Sequence, residues 1–396
     1  MNFSCPLPWS HLYIDYFGEV GTCCFSEFRN AISISDLASG TKKLEDLNLN
    51  VKKQMLNSSI PKECHHCSKI EEYLIESPRN YYNSLKGSVY TDQFDTQNKV
   101  RTLDLRFGNK CNLACRMCNP ISSKLLLNDY RQYLNDPNYS KKSENLDWYK
   151  DIENIEYLVS LSSDLTSIYF SGGEPLLIKE HWDFLDEVIS SNNSKEIELV
   201  YSTNLNFNLP IDQMEKWTNF KSVKLLPSMD GVGEVYNFIR FPGKFDNFDE
   251  NLNYMDKEMS NLNINRISVV FTLQNLNILN LENVFEYLFK FKNIDNFPTI
   301  NVLEDPKHFH FSCLPHDLKT LVIQKISNLI NVLFNKEKVD INNINQLKYC
   351  LKTLKESVSK ENDLNEFHKF NNFLDKKRNQ NINQILSLHS FGSRNS

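Results

Sequence analysis

Apolar residues in the middle of the chain recur in short alternating runs. In Arg101 to Phe107, Leu103, Leu105 and Phe107 share one face. Alternation at period two marks a half-buried strand. Similar runs fall at Thr166 to Ser171, Glu196 to Ser202, Lys221 to Ser228, Arg266 to Thr272 and Pro298 to Leu303. Between them, Trp182 to Ile189 and Leu281 to Phe291 carry helical spacing. Strands alternating with helices predict βαβ units around a parallel sheet, an α/β fold. Six strands are too few for a closed eight-stranded barrel, and such sheets bind ligands at the C-terminal ends of their strands.

The last third reads differently. Leu318, Leu321, Val322, Ile326, Leu329, Ile330 and Leu333 follow i, i+3, i+4 spacing, and Ile341, Ile344, Leu347, Leu351 and Leu354 repeat it. Leu364, Phe367, Phe370 and Leu374 predict one more amphipathic helix. The chain thus divides into 1–95, with few long elements, 96–312, the α/β part, and 313–396, the helical part. Past Asn379 the tail is polar. No internal repeat is evident.

Charge and composition narrow the class. Lys plus Arg number 44 against 50 Asp plus Glu, a net charge of −6. That balance argues against a chain whose main task is to coat nucleic acid. No apolar run reaches the ~18 residues of a membrane helix, and Met1 to Ser10 lacks a signal-peptide pattern. A cytoplasmic chain is expected. Ten cysteines there read as metal ligands or reactive thiols, not disulfides. They cluster as Cys5, Cys23 and Cys24, then Cys64 and Cys67, then Cys111, Cys115 and Cys118. Cys313 and Cys350 stand alone, as buried apolar thiols would. The glycines are few, eleven in all, and most fall beside these cysteines or at strand ends.

The segment Cys111-Asn112-Leu113-Ala114-Cys115-Arg116-Met117-Cys118 follows the first α/β strand through Gly108-Asn109-Lys110. Three thiolates at this spacing can hold three irons of a [4Fe–4S] cluster and leave the fourth open. The other reading is a zinc site short of one ligand. Downstream, Ser171-Gly172-Gly173-Glu174-Pro175 closes the second strand.

Together these segments resemble the radical SAM superfamily. The resemblance implies a partial (β/α)6 barrel, with Cys111, Cys115 and Cys118 holding the cluster in the loop after the first strand. Met117 stands where the superfamily often has an aromatic residue, and a thioether can pack on adenine in its place. Gly172 and Gly173 would let the methionine end of S-adenosylmethionine (SAM) approach, its ammonium met by backbone carbonyls and the Glu174 carboxylate. Weaker matches end the later strands: Ser202-Thr203-Asn204, Ser228-Met229-Asp230-Gly231, and Arg240 beyond. They imply Ser228 and Arg240 for the SAM carboxylate, and Asn204 and Asp230 for the ribose or the substrate. Gln274 and Asn277, after the fifth strand, are weaker still. Ser, Asn and Asp also favour caps and turns, which is the plainer reading of these positions.

The N-terminal segment resembles the opening of a twitch or SPASM auxiliary-cluster domain: Cys5-Pro6, then Gly18 before Cys23-Cys24, then Cys64-His65-His66-Cys67. Its position before the barrel departs from the usual order. Cys5, Cys23, Cys64 and Cys67 are the expected ligands, with Cys24 the alternative to Cys23. They imply a second [4Fe–4S] cluster, with structural zinc as the other reading. His65 and His66 read as spacers.

The resemblance implies an enzyme that reductively cleaves SAM to a 5′-deoxyadenosyl radical, which takes hydrogen from a substrate. A peptide is the leading substrate class, with a nucleotide, sugar or other metabolite as alternatives. The reductant would be a flavodoxin or ferredoxin. A non-catalytic electron-transfer or zinc protein is the competing class. No general base or other catalytic side chain is assigned.

Overall fold

The computed structural model describes residues 4–26, 29–84, 99–335, 340–358 and 360–385. The expected boundary at 95/96 and the end of the polar tail lie outside them. Among the described residues, no helix is long and apolar enough to cross a membrane.

Among the described residues, ten strands run in chain order. They are β1 (His11–Ile14), β2 (Glu19–Gly21), β3 (Arg29–Ser33), β4 (Thr102–Arg106), β5 (Ser167–Ser171), β6 (Glu198–Thr203), β7 (Ser222–Pro227), β8 (Ile264–Ile267), β9 (Val270–Leu273) and β10 (Thr299–Val302). The main sheet has the order β3-β2-β1-β4-β5-β6-β7-β8, and β9 pairs with β10. Pairing is parallel from β1 through β4 to β8 and again in β9–β10.

All six expected α/β strands are present, and the fifth is divided. Backbone bonds carry the wall across the division: Ser268 N–H donates to Leu225 O at 2.9 Å, Met229 N–H to Val270 O at 2.8 Å and Thr299 N–H to Val269 O at 2.7 Å.

The N-terminal segment does not stand apart as the sequence suggested. Its first strand, β1, lies against β4 with Tyr13 beside Asp104, and β2 and β3 extend that edge antiparallel. A four-residue strand buried throughout shows no alternation, so its sequence gives little signal.

Register sorts the side chains into two faces. Leu12, Leu103, Ile168, Leu199 and Val223 align across the sheet, as do Ile14, Leu105, Phe170, Tyr201, Leu225 and Ile267. These rows are almost wholly buried beneath the outer helices. Each buried Leu or Ile contributes about 1.5–3 kcal/mol. The helix Lys179–Ser190 buries Trp182, Phe184, Leu185 and Val188 there, one stripe of its surface.

The other face carries Tyr13, Asp104, Tyr169, Val200 and Lys224 in one row. Parallel strands covered on both sides are usually apolar on both. A polar inner row marks a lumen, and a cavity of about 580 Å³ lies against it.

Three C-terminal helices, His316–Phe334, Ile341–Glu356 and Glu361–Arg378, match the helical spacing. The last returns to the cysteine loop, where Phe367, Phe370 and Leu374 join Leu113, Cys115, Met117, Phe238 and Phe309 in a second core.

Candidate functional site

The loop after β4 is fixed by its backbone. Ala114 N–H donates to Phe241 O at 2.6 Å and Arg116 N–H to Ile239 O at 2.8 Å. Ser123 Oγ donates to Leu113 O at 2.6 Å. These bonds present Cys111, Cys115 and Cys118 at the C-terminal end of β4. Cys115 is buried, the other two half-buried. Burial pushes the Cys111 thiol up to about 12. The Cys118 thiol bonds to the Cys115 sulfur, lowering the pKa of Cys115 and raising its own. Among the described residues, no three His, Cys, Asp or Glu side chains converge as a site for one ion. A [4Fe–4S] cluster does not ask for that, since each thiolate meets a different iron.

The glycine pair docks onto this loop. Gly173 N–H donates to Gly108 O at 3.1 Å, and Glu174 N–H to Lys110 O at 2.8 Å. A Cβ on Gly173 would sit 2.2 Å from Lys110 O, and one on Gly172 2.9 Å from Gly108 O, with Gly172 at φ +126°. Only bare backbone lets the two loops touch. The expectation that the glycines make room for a ligand is therefore corrected on that side: the space is filled by the loop carrying Cys111.

Glu174 also departs from expectation. It is completely buried. Its carboxylate accepts from Thr203 Oγ1 at 2.8 Å, Asn204 N at 2.6 Å and Leu176 N at 3.3 Å. Burial raises its pKa to about 7, against the pull of those bonds. The side chain ties β5 to β6 through these three partners.

Asn204 stands beside the cluster loop. Its Nδ2 donates to Asn112 Oδ1 at 2.9 Å and faces Cys111 Sγ at 3.8 Å. Asp230 is buried and committed, its Oδ2 2.5 Å from Arg240 Nη1 and its Oδ1 accepting from Thr272 N at 2.9 Å. The expected ribose or substrate contact through Asp230 is closed by those partners. Arg240 lies close enough to Cys115 and Cys118 for their charges to act on it. Its Nε has no hydrogen-bond partner among the described residues. Ser228 is half-buried at the rim. Met117 sits in the second core with Leu276 and Phe309.

Cys5, Cys23, Cys64 and Cys67 line one small cavity, with Arg79 on its wall. Cys24 does not line that cavity but the barrel cavity, with Asp104 and Arg106, and Cys23 borders both. The structure thus groups the four cysteines singled out from the sequence and separates the fifth.

Two features escaped the sequence. Asp104 and Arg106 form a buried ion pair at 2.7 Å, with Arg106 between the rings of Tyr13 and Tyr169 at 5.4 and 5.3 Å. Their signal was a charged residue at alternate positions of a strand whose other face is apolar. Arg116, inside the cysteine motif, is completely buried against the helix Glu361–Arg378. Nothing local announced that, because its partners lie far along the chain.

Comparison with known proteins finds a likeness in the middle of the chain. The family model of the Radical SAM superfamily matches residues 105–286. That stretch is just under half of the chain, and it is the part that is similar to the superfamily. The radical SAM cyclopropyl synthase TigE of Paramaledivibacter caminithermalis is 25% identical over 150 residues, 37% of this chain and 30% of that protein. The chain thus matches under a third of that curated relative. Among solved structures, anSMEcpe with bound AdoMet and Kp18Cys peptide aligns at TM-score 0.42 and 19% identity, covering 59% of this chain and 60% of that one. Streptococcus suis SuiB bound to precursor peptide SuiA aligns at TM-score 0.36 and 14% identity, covering 71% and 51%.

A radical SAM domain works with SAM and a [4Fe–4S] cluster, and the residues here fit both. Three thiols share one fixed loop. A buried guanidinium beside them offsets thiolate charge and keeps an unused N–H. The backbone of Ser171, Gly172 and Gly173 stays half-exposed at the same strand ends.

Proposed function

We propose that this protein reductively cleaves SAM and uses the resulting 5′-deoxyadenosyl radical to take hydrogen from a substrate, with a peptide as the substrate class. The observation that carries this reading is the loop Cys111–Cys118, held by the 239–241 backbone and by the docked glycine pair. Cys111, Cys115 and Cys118 would hold the cluster. A cluster bound there would provide one-electron reducing chemistry, its electron taken from the external reductant. The chain's own groups position SAM and keep water away. The Arg240 Nε–H is the donor for the SAM carboxylate, Ser228 is a second candidate, and the Ser171–Gly173 backbone faces the ammonium. Met117 and its apolar neighbours offer a surface to the adenine. The lumen beneath, walled by the polar row of β1 and β4 to β7, receives the substrate.

Cys5, Cys23, Cys64 and Cys67 are proposed to hold a second [4Fe–4S] cluster, an electron store beside the lumen. Their four thiols on one cavity wall favour this reading, and zinc is the alternative. The external reductant would be a flavodoxin or ferredoxin. The test is anaerobic reconstitution with dithionite and SAM, reading 5′-deoxyadenosine by mass spectrometry. The Cys111→Ala, Cys115→Ala, Cys118→Ala variant should form none. Equal product from that variant and the wild type would refute the assignment.

A further inference from the structure

Lys224 sits in the middle of β7, on the lumen row with Val200, Tyr169 and Asp104. Its side chain is half-buried and lines the cavity of about 580 Å³. An ammonium drawn out of water is costly unless a carboxylate or other acceptor meets it. Here none does. Among the described residues, no hydrogen bond or ion pair reaches the Lys224 Nζ. It rests instead near the Tyr81 ring of the helix Pro78–Ser84, 5.8 Å from the ring centre.

The acids around it are engaged elsewhere. Asp104 is paired with Arg106 at 2.7 Å. Glu198 Oε1 accepts from Ser222 Oγ at 3.2 Å and from Asn265 Nδ2 at 3.0 Å. Asp295 is paired with Arg266 at 2.7 Å. Burial and the Arg266 charge lower the Lys224 pKa, against the pull of Glu198 and Asp295. Lys221, exposed at the same end of the cavity, adds a second positive charge. Asp104 and Arg106 cancel, so Glu198, Lys221 and Lys224 leave that end of the lumen with a surplus of positive charge. The cavity thus has room, one uncommitted cation on its wall and no acid of its own to spare.

We infer that Lys224 anchors a carboxylate of the substrate, so that the lumen takes an acidic peptide. This rests on the reading above that the lumen receives a peptide. The Nζ–H groups donate to the carboxylate oxygens, and the Tyr81 ring steadies the ammonium. Lys224 lies four residues before Ser228 at the strand ends, about 13 Å along β7. The acid would therefore sit about four extended residues from the position that loses hydrogen. A side-chain carboxylate and a C-terminal carboxylate share this chemistry, and the test separates them.

The test is binding, not turnover. Cluster-loaded protein is titrated anaerobically with three short alanine peptides, and affinity is read by ligand-observed NMR. One is capped at both ends and carries a single Glu, one is capped only at its N-terminus, and one is capped at both ends with Gln in place of Glu. Wild type should bind at least one carboxylate peptide about 10-fold more tightly than the neutral one, as a charge-assisted hydrogen bond provides. Which of the two it favours identifies the source of the carboxylate. Lys224→Met should lose the preference, keep the affinity for the neutral peptide and melt no lower than wild type. Equal binding of all three peptides by wild type, or an undiminished preference in Lys224→Met, overturns the inference and leaves the lumen as a peptide site. Binding of none of the three overturns both, while SAM cleavage stands or falls on its own product. If Lys224→Met misfolds, Lys224→Gln provides the same comparison.

Discussion

Arg116 offers the sharpest test of how the cluster loop is held. Its guanidinium is completely buried between Cys115 and Met117. It donates to Asp375, to Asn371 Oδ1 at 2.7 Å, to Gln380 Oε1 at 3.0 Å and to Phe238 O at 3.2 Å, with the Phe238 ring 3.7 Å away. Arg116→Met keeps the length and removes the charge. Asp375 then retains the Ile382 N–H at 2.7 Å and loses its cation. Breaking a buried pair by removing one partner costs about 3–5 kcal/mol. That is a large share of the ~5–15 kcal/mol that holds a folded domain. Replacing both charges with apolar groups is often close to neutral, so Arg116→Met with Asp375→Leu should recover most of the loss. Urea unfolding under anaerobic conditions measures the stability, and the rate of iron loss to a chelator measures the loop. A single variant within about 1 kcal/mol of wild type, or a double variant no better than the single, would refute the clamp.

The other predictions concern separate parts of the molecule. Gly173→Ala should abolish SAM binding and cost more than about 2 kcal/mol, because its Cβ has no room beside Lys110 O; unchanged SAH affinity by calorimetry would contradict this. Cys23→Ser should remove one cluster's iron while Cys24→Ser leaves iron content unchanged, read by iron and sulfide analysis. His181 is held neutral by burial, its pKa lowered to about 3, with Nε2 2.8 Å from Tyr201 Oη. The unfolded chain takes the proton near 6.5 and the folded chain does not, so acid favours unfolding; roughly 3 kcal/mol from this group should be lost by pH 4.5. Denaturation at pH 7 and 4.5 should show that part of the loss missing in His181→Gln.

How much was legible beforehand follows from how local each signal is. Leu103, Leu105 and Phe107 alternate because one face of β4 meets helices, and that pattern needs no partner to be seen. The division between β8 and β9 left no mark, since Ile267, Val269 and Phe271 stay apolar through the bend. The three cysteines of the loop stood out by their spacing, and the N-terminal quartet by its resemblance to an auxiliary-cluster opening. The direction of a side chain was not. Glu174 and Asp230 have the right chemistry for ligands, yet Thr203, Asn204 and Arg240 already engage them. Cys23 and Cys24 are adjacent and both border the lumen, and only the turn they share brings Cys23 to the quartet as well.

The Arg116–Asp375 contact also sets an order of events during synthesis. The N-terminal quartet lies within the first 67 residues, whereas the loop at 111–118 gains its clamp only once Asp375 and Gln380 have been made. With clusters held as proposed, a growing chain would offer its first four thiols to iron–sulfur assembly early and leave the second set unbraced until residue 380 has been made. Chains stalled before residue 360 should hold iron at the quartet and shed it from the loop, a difference that iron analysis of stalled ribosome complexes would reveal. The helix Glu361–Arg378 would then tie cluster retention in the loop to synthesis past its own partners of Arg116.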